Sequence, residues 1–402
     1  MNSHSKLTVL VVLMFLPAMG CEKEEGGEEF QTRVTMLHDG YRLLVIDNSD
    51  SISQAIAINA HGHVIGSREQ PSATPGIFEN IYFFDDGQHA VDLPTLENYT
   101  NSEVESLSDN YFAVGYASRP TGNVDGTLIA LLWDIKKNQV INLSKIEGDL
   151  VSHAQDISSD GKRIVGYSTG NSPERLRPCI WEFSETEKKW VAEALPTKEV
   201  YNPYTMSSSV QISPDGKTIA TCITDFIDDR TINSSLYLWR EDEQGQWQRK
   251  KLHDEQIYVG GVNNAGLVVG DFSNRQGKRF PCIVSAEGEF RELELFDGTD
   301  SGKAYGVSNK GMVVGICNDP PGPDGGVHPW IFDATGDSNK PQPLKLPAEN
   351  LYCLVQSIND AGQIAGLGEI TFKDRLEENP ETGEEEPVVK ALAFIWDPQS
   401  SK

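Results

Sequence analysis

The apolar positions of this chain fall in short, β-branched clusters broken by Gly, Asn, Asp and Ser, and one cluster-turn-cluster unit recurs from end to end. Its copies are Ile58-Asn59-Ala60-His61-Gly62, Leu107-Ser108-Asp109-Asn110, Ile157-Ser158-Ser159-Asp160-Gly161, Ile212-Ser213-Pro214-Asp215-Gly216, Val262-Asn263-Asn264-Ala265-Gly266, Val307-Ser308-Asn309-Lys310-Gly311 and Ile358-Asn359-Asp360-Ala361-Gly362. In each, an apolar residue ends a strand and an Asn or Ser side chain hydrogen-bonds the turn backbone. Gly, or Asn110 in the second copy, is expected to take the left-handed conformation. A second strand follows, as in Val64-Ile65-Gly66, Ile164-Val165-Gly166 and Val313-Val314-Gly315, with Ile219-Ala220-Thr221 in the fourth copy. The pair reads as a tight hairpin.

A third strand comes after a variable loop and carries an aromatic residue: Phe84-Asp85, Trp133-Asp134, Trp181-Glu182, Trp239-Arg240, Trp330-Ile331 and Trp396-Asp397, with Val284 in the fifth copy. The fixed place of these rings marks core packing rather than a stacking platform for sugars. A short fourth strand ends the unit, as in Gln139-Val140-Ile141-Asn142-Leu143. Seven copies about 50 residues apart have the period of a propeller blade. Small residues (Ala57, Ser106, Gly261, Gly306, Ser357) precede the turns, as crowding around an axis requires. The expected fold is all-β, a seven-bladed β-propeller with four-stranded antiparallel blades. Its seventh unit stops at Trp396-Asp397-Pro398 without a fourth strand, and Arg42–Ile46 is a strand with no unit before it. Docking the one on the other closes the ring and removes both exposed edges.

The pattern I-N-x-x-G-x-V-V-G followed by W-D resembles the HAF-type extracellular repeat, over roughly residues 42–398. The stretch Ile212-Ser213-Pro214-Asp215-Gly216-Lys217 is similar to the repeat of TolB-like propellers. Both resemblances imply blades, and neither implies one chemistry.

Composition changes the picture mainly at the N-terminus. The one strongly apolar run, Leu7–Met19, follows Lys6 and ends in Ala18-Met19-Gly20-Cys21. It is too short for a spanning helix and reads as a signal peptide, residues 1–20. Its end resembles a bacterial lipobox, which implies lipidation of Cys21, with Ala18 where that pattern has leucine. Residues 21–34, opening Glu22-Lys23-Glu24-Glu25, read as an acidic flexible tether, and 35–402 as the propeller. The acidic stretch also resembles a lipoprotein export signal, which implies an outer-membrane protein anchored by lipid and exposed at the cell surface. A net charge of -26 argues against nucleic acid as a partner. The remaining cysteines, Cys179, Cys222, Cys282, Cys317 and Cys353, are odd in number and lie mostly in apolar strands, so they read as buried free thiols.

No hydrolase elbow, zincin motif or phosphate-binding glycine loop occurs. No metal or cofactor is expected. His61-Gly62-His63 sits in a turn, and the acidic pairs Asp85-Asp86 and Asp228-Asp229 read as solvated surface. The segment Asn318–Gly326 reads as a stiff, proline-rich loop.

Binding residues are expected in the loops between second and third strands, where such folds vary. Those loops hold Arg68, Arg119, Arg175, Arg177, Arg230, Arg275 and Arg279, beside Tyr116, Tyr167, Phe226 and Phe272. The arginines of the first three units suggest a basic arc for an acidic ligand. The competing reading is that they neutralise neighbouring acids. The seventh unit carries an acidic insert, Glu377–Glu386, expected as a disordered flap.

The functional expectation is a non-catalytic surface lipoprotein. It would bind a small molecule, glycan or peptide, or dock on an outer-membrane transporter or surface complex, as an accessory to nutrient uptake. A propeller hydrolase or lyase of polysaccharide and a structural scaffold are the alternatives.

Overall fold

The computed structural model describes residues 29–30, 32–36, 41–46, 52–71, 78–97, 99, 101–118, 128–170, 176–196, 206–228, 231–322, 325–344, 352–378 and 385–398. Seven antiparallel sheets follow one another along the chain, and helix is limited to a 3-10 turn at Ile135–Lys137 among the described residues. Blade 2 shows the plan: Asn101–Leu107, Phe112–Ser118, Ile129–Asp134 and Gln139–Asn142 pair in chain order. The first strands of the blades touch one another in sequence, and the seventh (Cys353–Ile358) touches the first (Ser53–Ile58). They therefore line the axis of a closed ring.

Closure comes from the N-terminal side, as the unpaired strand suggested. Tyr41–Ile46 pairs with Glu385–Trp396 in the register Tyr41↔Trp396, Arg42↔Ile395 and Leu43↔Phe394. Blades 1 and 7 go beyond the expected four strands. Thr32–Met36 pairs outside the closing strand, and Glu29–Phe30 pairs with Ala90–Asp92. Residues 1–28, with the expected signal peptide and Cys21, lie outside the described residues.

The repeated turn also holds blade to blade. Asn59 accepts from the backbone of His61 and His63 through Oδ1 while its Nδ2 donates to Ser108 O of blade 2 at 3.1 Å. Asp109 N donates to Ser159 O, and Ser159 N to Pro214 O. Asp215 N donates to Asn264 Oδ1, Asn263 Nδ2 to Ser308 O, and Asn309 N to Asp360 Oδ1. Asn359 Nδ2 then donates to Asn59 O at 2.8 Å and completes the circle. The short polar side chains of the motif thus satisfy their own turn and the next one, where an unpaired buried amide would cost stability.

Three details differ from the expectation. In blade 2 the left-handed residue is Tyr111 (φ 67°), not Asn110; its ring packs on Phe84 and His63, which offsets the strain. The aromatic register also shifts in blades 1 and 6. Trp133, Trp181 and Trp239 sit beside the turn-proximal residues Ala113, Ile164 and Ile219, a place held in blade 1 by Asp85 and in blade 6 by Phe332. Phe83 and Trp330 instead face the second-strand glycines Gly66 and Gly315. All four tryptophans Trp133, Trp181, Trp239 and Trp330 are buried, as core packing requires. Finally, the two ends of the acidic insert are strand: Ile364–Glu378 and Glu385–Trp396 form a long hairpin with Glu377↔Glu386 and Glu378↔Glu385 in register. Residues 379–384 lie outside the described residues. Main-chain pairing carries the hairpin as far as these four acidic residues.

Candidate functional site

The second-strand glycine is the local feature that shapes the axis. At Gly66, Gly115, Gly166, Gly270, Gly315 and Gly366 a Cβ would overlap the carbonyl oxygen of Gln54, Glu103, His153, Tyr258, Lys303 and Leu354 respectively, in the adjoining first strand. Each of those first strands carries a bulge just beyond, which leaves Ile56, Glu105, Gln155, Gly260, Tyr305 or Gln356 as the extra residue. Blade 4 has Thr221 instead of glycine, and there the bulge moves to Ser207/Val210. The glycine and the bulge are therefore one device. It sets the backbone from which first-strand side chains line the axial mouth, at the end opposite the ring of turns.

Together with neighbouring side chains of the second and third strands, they form two arcs of opposite charge. On blades 2 and 3, His153 Nε2 lies 3.1 Å from Glu105 Oε1, and its Nδ1 lies 3.0 Å from the Tyr167 hydroxyl. The Tyr116 ring packs at 4.2 Å from the His153 ring, and its hydroxyl donates to Glu103. Burial, reinforced by Glu103 and Glu105, raises the phenol pKa of Tyr116, and burial with Glu105 pushes Tyr167 up to about 12. Asp156, below this group, accepts from Ser106 Oγ at 2.6 Å and from Ile212 N at 2.9 Å, linking blades 2, 3 and 4. Desolvation lifts its carboxyl to about 6.

On blades 5 and 6 the charge is reversed. A cavity of roughly 430 Å³ opens here, reaching from Leu176 and Ser209 to Lys303 and Tyr305. Asp271, 3% exposed, pairs with Arg279 Nε, and the Arg279 guanidinium lies over the Tyr258 ring at 4.1 Å. Burial raises the Asp271 carboxyl pKa against the pull of Arg279. Lys303 is half-buried, and burial followed by the Arg279 charge lowers its pKa. The two arcs stand three blades apart in a ring of seven, so they face each other across the mouth.

Of the residues singled out in the sequence, Arg279 is in the blade 5–6 cavity, and the others are spread around the ring. Tyr116 and Tyr167 join the acidic arc through His153. Arg68 is buried and paired with Asp92 at 2.9 Å, and Arg177 is paired with Asp149. Phe272 packs against Phe280 and Phe290 on the blade 5 core, and Arg275 is exposed in its loop. Phe226 lies in the strand Thr218–Asp228, opposite Ile232, while Arg119, Arg175 and Arg230 lie outside the described residues. Glu103, Glu105, His153, Tyr258, Lys303 and Tyr305 carried no loop signal, since they belong to the first strands. Aligning those strands on the turn motif would have found them as a column that changes charge from blade to blade. The five cysteines are buried and unbridged, with burial raising the thiol pKa of Cys222 to about 11 and of Cys353 to about 12. Among the described residues no cluster of three His, Cys, Asp or Glu could hold a metal ion, and no helix is long and apolar enough to cross a membrane.

No protein-family profile and no curated protein sequence matches the chain. Solved structures do match in fold. The propeller domain of the Trilobed protease from Pyrococcus furiosus, described as having an open velcro topology, is 10% identical with a TM-score of 0.51, over 87% of this chain and 94% of that one. A prolyl endopeptidase is 13% identical with a TM-score of 0.54, over 85% of this chain and 50% of that one. Prolyl oligopeptidase B from Galerina marginata is 12% identical with a TM-score of 0.54, over 87% of this chain and 51% of that one. The chain thus spans about half the length of these two enzymes. At such identities the similarity establishes the seven-bladed fold, here closed by Tyr41–Ile46. It also corrects the functional expectation of a non-catalytic accessory to nutrient uptake: the propellers matched belong to peptidases.

Proposed function

We propose that the protein serves peptide hydrolysis, its propeller admitting and holding a short peptide at the axial mouth. The observation that carries this reading is the pair of facing arcs, Glu103, Glu105 and His153 against Arg279 and Lys303. A peptide with free termini is a zwitterion, and its two ends complement two such arcs at once. A neutral saccharide uses neither. The fold shared with peptidase propellers supports the same setting. The test is calorimetric titration of the purified chain with unblocked di-, tri- and tetrapeptides and with neutral oligosaccharides of similar size. Saturable peptide binding without saccharide binding is expected; the reverse would favour a polysaccharide enzyme and end the peptide reading.

Two further expectations stand beside it as proposals. The repeat motif supports membership of the HAF-type family, and the lipobox-like end of residues 1–20 supports anchoring in the outer membrane through Cys21. Cys21→Ala is expected to move the protein from the membrane fraction to the soluble fraction; retention with lipid attached would overturn the anchor.

A further inference from the structure

The charges of the blade 5–6 cavity do not cancel. Asp271 is committed to Arg279, whose Nε it engages, and that pair is neutral as a unit. Lys303, on the neighbouring first strand, lines the same cavity without a hydrogen bond or a close ion pair among the described residues, its nearest counter-charge being Asp271. Its ammonium is half withdrawn from water beside a second cation, and both effects act against its charge, offset only in part by the attraction of Asp271. The two terminal nitrogens of Arg279 are likewise without a hydrogen-bond partner among the described residues, because the guanidinium is held by Nε and by the Tyr258 face. The cavity wall between them carries no charged side chain, only Val259, Gly260 and Ala304. Two cations against one carboxylate therefore leave a net positive charge on the cavity wall, with donors on two sides of it. This is the environment in which a single carboxylate gains most, because it supplies the missing counter-charge and accepts from a preset fork.

We propose that this cavity is a carboxylate site, in which Lys303 and Arg279 hold the free C-terminal carboxylate of a peptide between the rings of Tyr258 and Tyr305. The assignment rests on the peptide reading above and adds polarity to it: the C-terminus lies on blades 5 and 6, and the chain runs toward Glu103 and Glu105. Arg279 is poised by Asp271, so its removal would strand a buried carboxylate; Lys303 is the residue to change.

The experiment compares N-acetyl-trialanine, which carries only the carboxylate, with N-acetyl-trialanine amide, which carries neither charge, by calorimetry on the full chain. Free trialanine and N-acetylalanine are titrated alongside. The acid is expected to bind about tenfold tighter than the amide or better, as a charge-assisted pair out of water provides. Lys303→Met is expected to bring the acid down to the level of the amide, and Lys303→Arg to restore the preference. N-acetylalanine binding as well as the tripeptide acid would assign the site to small free carboxylates and overturn the peptide polarity. Equal binding of acid and amide by the unaltered chain would remove the carboxylate site and leave the peptide reading standing. Binding of none of the four ligands would remove both. The first comparison needs no variant, so a Lys303→Met chain that fails to fold does not rescue the proposal.

Discussion

A missing Cβ decides where the mouth residues stand. The glycine after each pair of second-strand aliphatics lies under a first-strand carbonyl, and Thr221 marks the one blade in which the bulge has moved. Gly115→Ala would drive a methyl group into Glu103 O, so it is expected to cost roughly 2–3 kcal/mol, as overpacking in a rigid core does. Urea denaturation checks this, and an unchanged midpoint would separate glycine from bulge. The recurrence of this glycine was legible in the sequence, but its reason was not, because the clashing atom sits on another strand. The same holds for Asp156, an ordinary acid in the sequence that proves to be a link between three blades. Its carboxyl is raised from the usual 3.8 to about 6, so the folded chain prefers it protonated. That contribution is fully present below about pH 4 and is lost as pH rises through about 6, on the order of 2–3 kcal/mol in all. Chemical denaturation at pH 5 and pH 7.5 should show a smaller loss of stability toward high pH in Asp156→Asn than in the unaltered chain. Equal losses in both would contradict the assignment.

Among the strands, the closing one matters most. Tyr41–Ile46 fills the edge of Glu385–Trp396 and is itself covered by Thr32–Met36. A chain beginning after residue 47 would expose a long apolar edge in a ring that depends on closure. Its melting temperature is expected to fall by roughly 10 °C or more, with loss of solubility. A truncated chain that melts with the full one would argue against closure by this strand. The repeat made the blades, the hairpins and this closure readable, since each follows from period, turn chemistry and an odd strand at either end. It did not reveal the fifth strands, Glu29–Phe30 and Thr32–Met36, which are short, lie outside the repeat and are ordered by the edges they meet. Nor did it fix the aromatic register. Trp330 and Phe332 are both plausible core residues two positions apart, and only the pairing of Val313 with Phe332 tells which one takes the place of Trp133.

At the scale of the molecule, the ring brings together residues that the chain keeps far apart. The turn face is tied by a closed circuit of short polar side chains and turn backbone, and the opposite face opens into a mouth with acids on one side and cations on the other. A chain with 60 acidic and 34 basic residues gives no hint of a local positive site. The sequence drew attention to arginines in loops, but Arg68 and Arg177 are spent on Asp92 and Asp149. The cation that is left over, Lys303, sits in a first strand. Its importance depends on what the ring places around it, and no local pattern encodes that. The central claim is that the axial mouth receives a peptide, and the most direct measurement is a crystal structure of the chain grown with trialanine. Electron density for the peptide is expected in the mouth, with its carboxylate on Lys303 and Arg279 and its amine toward Glu103 and Glu105. A peptide bound on the outer strands or the turn face, with the mouth empty, would contradict it.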